Sequence, residues 1–481
     1  MLFRILGCLV LAVSISSSFA DDSLSELVSA IQKEKGTRTA SIGVCLVPLD
    51  GEPGDAFGYQ IDQGLVPAST MKSITTATAN EILGSDYRFK TELQTAGVLG
   101  EDGTLKGNVV IRGGGDPTLG DSQISRTFAV WQDALAKAGV KKVEGSVVGD
   151  ASIFGTKLIP DSWQWNDIGN YYGAGACGLT FHQNQFFCSF RTSKVGGIAG
   201  FIGTDPKLPE VEFINEMRVG SAGSGDQGYI YGVPYGKVFY LRGSVPAGSS
   251  SFTIKGALPD PAFFCARAFT KHLNQGGLEV TGEPTTVRLM MVAGESLAAR
   301  KVIHEQSSDS LKSLMVLTNH KSVNLRAECM HRAIGLKAKN KGTTEAASDA
   351  VTKHWADKGI DMTGFYMADG CGLSRSNTVT AKQMALIHYH AAKGENFEAF
   401  HDSLPVAGRS GTLKSIGGGT SAEGRVRAKS GTLDRIKTYA GYVDARSGKR
   451  YAFAVFVNNY SGDSWDAKSK IVRIWTKMVA L

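Results

Sequence analysis

The sequence predicts a mixed α/β protein of the α+β kind, in which one domain is interrupted by a large β-rich insertion. Three observations lead there. Glycine is abundant, 58 of 481 residues, which favours turn-rich β or α/β architecture over a helical bundle. The two ends of the chain share a texture of helices and alternating strands. The middle, from Tyr171 to about Ala257, is rich in Gly, Pro and aromatic residues. The chain is too long for one ordinary domain, and a split domain explains this order better than separate domains in a row.

The elements follow in order. Leu24, Leu27, Val28 and Ile31 recur at helical spacing, so residues 22–35 read as an amphipathic helix. Ala40–Leu49 reads as a strand. A second helix starts near Pro67, a residue suited to a first turn, and runs through Met71, Ile74 and Ala77 to Leu83. Short strands at Lys90–Ala96, Asn108–Arg112 and Gly145–Asp150 then alternate with a helix at Ser125–Ala138. Helices are expected again at 261–275, 308–318, 322–335, 345–358 and 380–392. Tyr439–Asp444 and Tyr451–Asn458 flank a Ser447-Gly448 turn and form a hairpin. A final helix, Asp466–Val479, carries Ile471, Ile474, Trp475 and Met478 on one face. Packing on the last sheet is preferred to anchoring at a membrane surface. The interrupted domain takes residues 21–90 and 295–481, and the insertion 91–294.

Residues 1–20 read as an export signal. Arg4 is followed by the short apolar run Ile5–Val13, and Ser18 and Ala20 are small residues before Asp21. No later stretch is apolar and long enough to span a bilayer, so no stable transmembrane anchor is expected. Cys8 falls inside the signal. Of the other six cysteines, Cys177 and Cys188 are the pair best placed for a disulfide in an oxidising compartment. The commoner state, a small buried hydrophobe, is preferred. No C-x-x-C pair exists, which argues against zinc, and no cofactor or metal is implied. The net charge is +7, or +6 without Arg4. That suits a polyanionic neighbour or an ordinary slightly basic surface. No basic cluster interleaved with aromatics points to nucleic acid.

Three motifs carry chemistry. Ser69-Thr70-Met71-Lys72 sits at the start of the second helix. A spacing of three brings hydroxyl and amine to one face, so Lys72 can take the proton of Ser69 as it attacks a carbonyl. The unpaired N–H groups of the helix start favour an oxyanion. Ser322-Val323-Asn324 begins another predicted helix; Ser322 can relay a proton to a leaving nitrogen and Asn324 can hold a substrate carbonyl. Each also suits a plain helix cap. Lys429-Ser430-Gly431-Thr432 leads into the last strands. A strand edge can pair with a peptide, Gly431 admits close backbone approach, and the lysine and hydroxyls can receive a terminal carboxylate. Arg409-Ser410-Gly411-Thr412 has the same shape; Lys429 is preferred for its strand context. Nucleophile, relay and carboxylate-binding lysine in this order match the trio of penicillin-binding proteins and β-lactamases.

Over nearly the whole chain after the signal, the sequence resembles the penicillin-binding protein 4 family of class C low-molecular-mass penicillin-binding proteins. Gly114-Gly115-Asp116-Pro117-Thr118-Leu119, Asp150-Ala151-Ser152-Ile153-Phe154, Trp163-Gln164-Trp165-Asn166-Asp167 and Asp369-Gly370-Cys371-Gly372-Leu373-Ser374-Arg375 add to the resemblance. It implies a serine β-lactamase/transpeptidase-like domain, an antiparallel sheet with helices on both faces, and a nested subdomain in the insertion at about 180–255. It implies D-alanyl-D-alanine carboxypeptidase and endopeptidase activity on peptidoglycan peptides in the periplasm, with β-lactam antibiotics as covalent inhibitors. Ser69 would be acylated, Lys72 would be its base, and the N–H groups of Ser69 and Thr432 would form the oxyanion hole. Ser322, Asn324, Lys429, Ser430 and Gly431 match the other motifs. Asp150 and Arg375 match positions near the pocket for a diamino-acid side chain. Val323, Ser430 and Cys371 stand where Asp, Thr and Ser are usual in the family, and Cys371 reads as a structural thiol.

Two rival readings are weaker. A β-lactamase would lack the long insertion and carry a deacylating glutamate. A silent wall-binding protein would not keep all three motifs intact.

Overall fold

The computed structural model describes residues 22–121 and 124–481. Residues 1–20, read above as an export signal, and Cys8 within them lie outside the described residues. The chain divides into two compact units. One takes the residues up to Asp86, Leu311–Val323 and Ser348–Leu481; the other takes Tyr87–Ser310 and Asn324–Ala347.

The first unit is built on a five-stranded sheet. Its strands run in the order Val426–Leu433, Ile436–Asp444, Arg450–Asn458, Ser41–Pro48, Phe57–Tyr59, and every pairing is antiparallel. The strand Ile436–Asp444 is buried along nearly its whole length, which requires cover on both faces. Tyr439 and Tyr442 differ in parity and so point to opposite faces. Tyr439 meets Trp475 of the C-terminal helix Ser464–Val479 edge to face, with ring centroids 4.9 Å apart. Leu24, Val28 and Ile31 of the N-terminal helix share that core. On the other face the Tyr442 hydroxyl donates to the His388 carbonyl, at 2.8 Å, on the helix Ala381–Ala392. The C-terminal helix therefore packs on the last sheet, as its apolar stripe predicts.

The second unit holds a seven-stranded sheet. Its main path is Glu279–Val280, Lys142–Glu144, Thr104–Arg112, Lys90–Leu99, Arg300–Ser307. Two smaller sheets, drawn from strands between Gln185 and Ala257, lie in the same unit. Phe128 packs on Trp131, Phe181 and Phe269 in the core. The helix Asn324–Lys339 is tied into this unit by Arg332, a buried guanidinium. It donates to the carbonyls of Phe154 at 2.9 Å and Lys157 at 2.6 Å.

None of the six described cysteines forms a disulfide, and all six are buried. Burial pushes the Cys177 and Cys188 thiols up to about 12. They behave as small core hydrophobes rather than a disulfide. No described helix is long and apolar enough to cross a membrane.

Candidate active site

Ser69 does not open the α-helix directly. It lies in a 3-10 turn, Ala68–Thr70, that feeds the helix Met71–Ile82. Ala68 has a φ of +49°, a left-handed conformation that costs an alanine about 1 kcal/mol or more. The surroundings impose it. Thr70 and Thr438 both donate to the Pro67 carbonyl, at 2.6 and 2.5 Å. Gly372 crowds the next carbonyl: a Cβ there would lie 1.8 Å from the Ala68 oxygen. The turn presents Ser69 half-buried while both its neighbours are buried.

Lys72 is fully buried. Its Nζ donates to Ser69 Oγ at 2.9 Å and to the Cys371 carbonyl at 2.6 Å. That carbonyl is held in place by Asp369. The carboxylate accepts from Gly372 N and Ser374 N, both at 2.6 Å, and from Asn377 Nδ2 at 2.8 Å. The sequence marks the Asp369–Arg375 segment but gives no role for Asp369. Its role is to fix the loop that aims a carbonyl at Lys72.

The second pair is Ser322 and Lys429. Ser322 bridges the helices Leu311–Lys321 and Asn324–Lys339 with a φ of +55°. Lys429 lies on the strand Val426–Leu433, fully buried, and its Nζ donates to Ser322 Oγ at 3.0 Å and to the Ser430 carbonyl at 2.6 Å. Burial first, and the Lys72 charge second, hold the Lys429 amine well below the ordinary lysine range.

Gly431 lets this strand approach the nucleophile. A Cβ at this position would lie 2.1 Å from Thr438 Oγ1, 2.7 Å from the Pro67 carbonyl and 3.0 Å from Ser69 N. Only glycine tolerates such proximity, and it brings the backbone leading to Thr432 against the N–H of Ser69.

The remaining candidates fall as follows. Ser430 Oγ donates to Thr412 Oγ1 at 2.7 Å. The Arg409–Thr412 segment is therefore not idle: it supports Ser430 through Thr412, a contact that spacing alone does not show. Arg409 itself packs on Gly424, where a Cβ would lie 2.5 Å from its guanidinium carbon. Arg375 makes one long contact, 3.3 Å to the Asp434 carbonyl. Asn324 opens its helix and donates to the Tyr172 carbonyl at 2.7 Å. Asp150, in the second unit, is buried, with Oδ2 taken by Arg300 at 2.5 Å and Oδ1 by Ser152 N at 3.0 Å. Burial raises its pKa, but the bonds from Ser152 and Arg300 outweigh it and leave the group below the usual carboxylate range. A substrate amine would have to displace Arg300, so these contacts favour a structural carboxylate.

A half-buried serine touched by a buried amine, beside a second serine–lysine pair on a strand edge, is the equipment of a serine hydrolase of the acyl-transfer class. The chain belongs to the D-Ala-D-Ala carboxypeptidase 3 (S13) family, whose pattern matches residues 24–478. It is 31% identical over 452 residues to a D-alanyl-D-alanine carboxypeptidase of Actinomadura sp. (strain R39), covering 91% of this chain and 81% of that one. Its fold is shared with penicillin binding protein 4 (dacB) from Haemophilus influenzae. That structure gives a TM-score of 0.77 at 22% identity, over 94% of this chain and 98% of the other. A second structure of that protein, complexed with a novel beta-lactam (CMV), gives 0.74 at 22% identity, over the same 94% and 98%. The α+β class expected from the sequence, an antiparallel sheet with helices on both faces, is the class observed.

Proposed function

We propose that this chain is exported and removes the terminal D-alanine from peptidoglycan peptides through an acyl-enzyme on Ser69. The Lys72–Ser69 contact carries the reading. Ser69 Oγ attacks the carbonyl of the penultimate D-alanine and its proton passes to Lys72. The oxyanion is met by the N–H groups of Ser69 and Thr432, which the glycine at 431 allows to lie close. Ser322, linked to Lys429, returns a proton to the leaving amine. Water then cleaves the acyl-enzyme. The same steps serve a D-alanyl–diamino-acid cross-link, so endopeptidase activity belongs to the proposal, with Arg375 available to the longer substrate. Covalent capture by β-lactams follows, supported by the β-lactam complex of the Haemophilus influenzae relative. The domain that holds Ser69 is read as transpeptidase-like, and the intervening chain as an insertion.

The test is release of D-alanine from a wall pentapeptide. The native protein should release it, and Ser69→Ala should not while keeping its unfolding temperature. Equal release by both proteins would refute the assignment.

A further inference from the structure

Lys429 is an awkward partner for a substrate carboxylate. It is fully buried, spends two hydrogen bonds on Ser322 Oγ and the Ser430 carbonyl, and is disfavoured as a cation by burial and by Lys72. A D-alanyl-D-alanine end carries a full negative charge. Something in the same region should be a better cation.

Lys437 meets the requirement. It stands directly across the strand pair from Thr432, so the two side chains lie on one side of the ladder. Its Nζ donates to Thr432 Oγ1 at 3.0 Å. Thr432 is exposed, whereas Lys437 is buried. As an acceptor from Lys437, the Thr432 hydroxyl keeps its own proton to donate elsewhere. Burial and, second, Lys468 of the C-terminal helix bring Lys437 down to about 8, and no carboxylate counters them. Lys437 is therefore mostly charged at neutral pH, yet among the described residues no carboxylate forms an ion pair with it. Across the other neighbouring strand it faces Val457. A buried ammonium without a counter-ion, hydrogen-bonded to an exposed hydroxyl, is a seat for an external carboxylate.

We propose that Lys437, acting with the Thr432 hydroxyl, binds the carboxylate next to the scissile bond, the terminal carboxylate of a D-alanyl-D-alanine end. The inference rests on the carboxypeptidase reading above. Lys437 supplies the charge that Lys429 is poorly placed to carry, and Lys429 stays with Ser322 in proton transfer.

The test separates binding from turnover. In the Ser69→Ala protein, the dissociation constants of N-acetyl-D-Ala-D-Ala and of its C-terminal carboxamide are measured by calorimetry. The acid should bind more tightly than the amide. Adding Lys437→Met should cut that preference about tenfold, the scale of one charge-assisted hydrogen bond. Lys437→Arg should retain most of it. If the methionine variant does not fold, Lys437→Gln serves in its place. A preference that stays within twofold of the parent overturns the inference, as does a parent that does not prefer the acid. A native protein that binds the acid through Lys437 but never releases D-alanine would overturn the carboxypeptidase reading alone.

Discussion

Replacing Gly431 by alanine probes the junction between strand and nucleophile. The new methyl would start 2.1 Å from Thr438 Oγ1, 2.7 Å from the Pro67 carbonyl and 3.0 Å from Ser69 N. Thr438 cannot simply rotate away, because its hydroxyl donates to Pro67 and pins the turn. The strand must therefore retreat from Ser69, carrying the Thr432 N–H with it. Overpacking of this kind costs about 1–3 kcal/mol of stability. Moving one oxyanion donor out of line costs a further 10²–10³ in rate, roughly 3–4 kcal/mol in the barrier. The assay is the rate of covalent labelling by a fluorescent penicillin, with chemical denaturation run in parallel. Gly431→Ala should label about a hundredfold more slowly and stay folded. Gly418→Ala is the control, since a methyl there meets nothing nearer than 3.8 Å. Labelling of Gly431→Ala within threefold of the native rate would refute the reasoning.

Three further outcomes are expected. Lys429→Ala should lower acylation efficiency by about 2–5 kcal/mol, measured as kcat/KM, and Arg409→Ala by far less, since the Arg409 guanidinium packs on Gly424; the reverse ranking would reassign the motif. Asp150→Asn breaks a buried ion pair with Arg300 and should cost about 3 kcal/mol in denaturation, the lower end for such pairs because Arg300 is 31% exposed. It should slow cleavage of a wall peptide with a free diamino-acid amine and of its acetylated form equally, whereas selective loss on the free amine would make Asp150 a specificity residue. His388 is fully buried and burial lowers it to about 4. The unfolded chain then binds a proton that the folded chain refuses between about pH 6.5 and 4, so stability falls as pH drops through that window, by on the order of 3 kcal/mol. His388→Gln should flatten that part of the pH–stability curve, and an unchanged slope would contradict it.

The helices were the most legible part of the fold. The segment Pro261–Gln275 begins and ends where its periodicity predicts, because Pro261 at a first turn and Gly276 after the last leave little latitude. Strands with charge in them were harder. Arg300–Ser307 is half exposed and polar, with no alternation to mark it. Its partner Lys90–Leu99 lies some two hundred residues earlier, a distance no local pattern spans. The run expected at Tyr439–Asp444 starts at Ile436 instead, since a lysine at 437 reads as the end of an apolar strand. That early start is what places Lys437 opposite Thr432. In the site, the serines and lysines were visible from spacing. The roles of Asp369, Thr412 and Lys437 were not, because each depends on a particular hydrogen bond, to Gly372, Ser430 and Thr432, that no motif spacing encodes, and the left-handed Ala68 follows from tertiary contacts around Pro67 rather than from residue type.

In the proposed reaction Ser69 forms the covalent intermediate. Incubation with penicillin G, digestion and mass spectrometry of the peptide containing Ser69 tests it most directly. One adduct on Ser69 in the native protein, and none anywhere in Ser69→Ala of unchanged unfolding temperature, is the predicted result. No adduct in the native protein, or an adduct of equal yield in the alanine variant, would contradict the account.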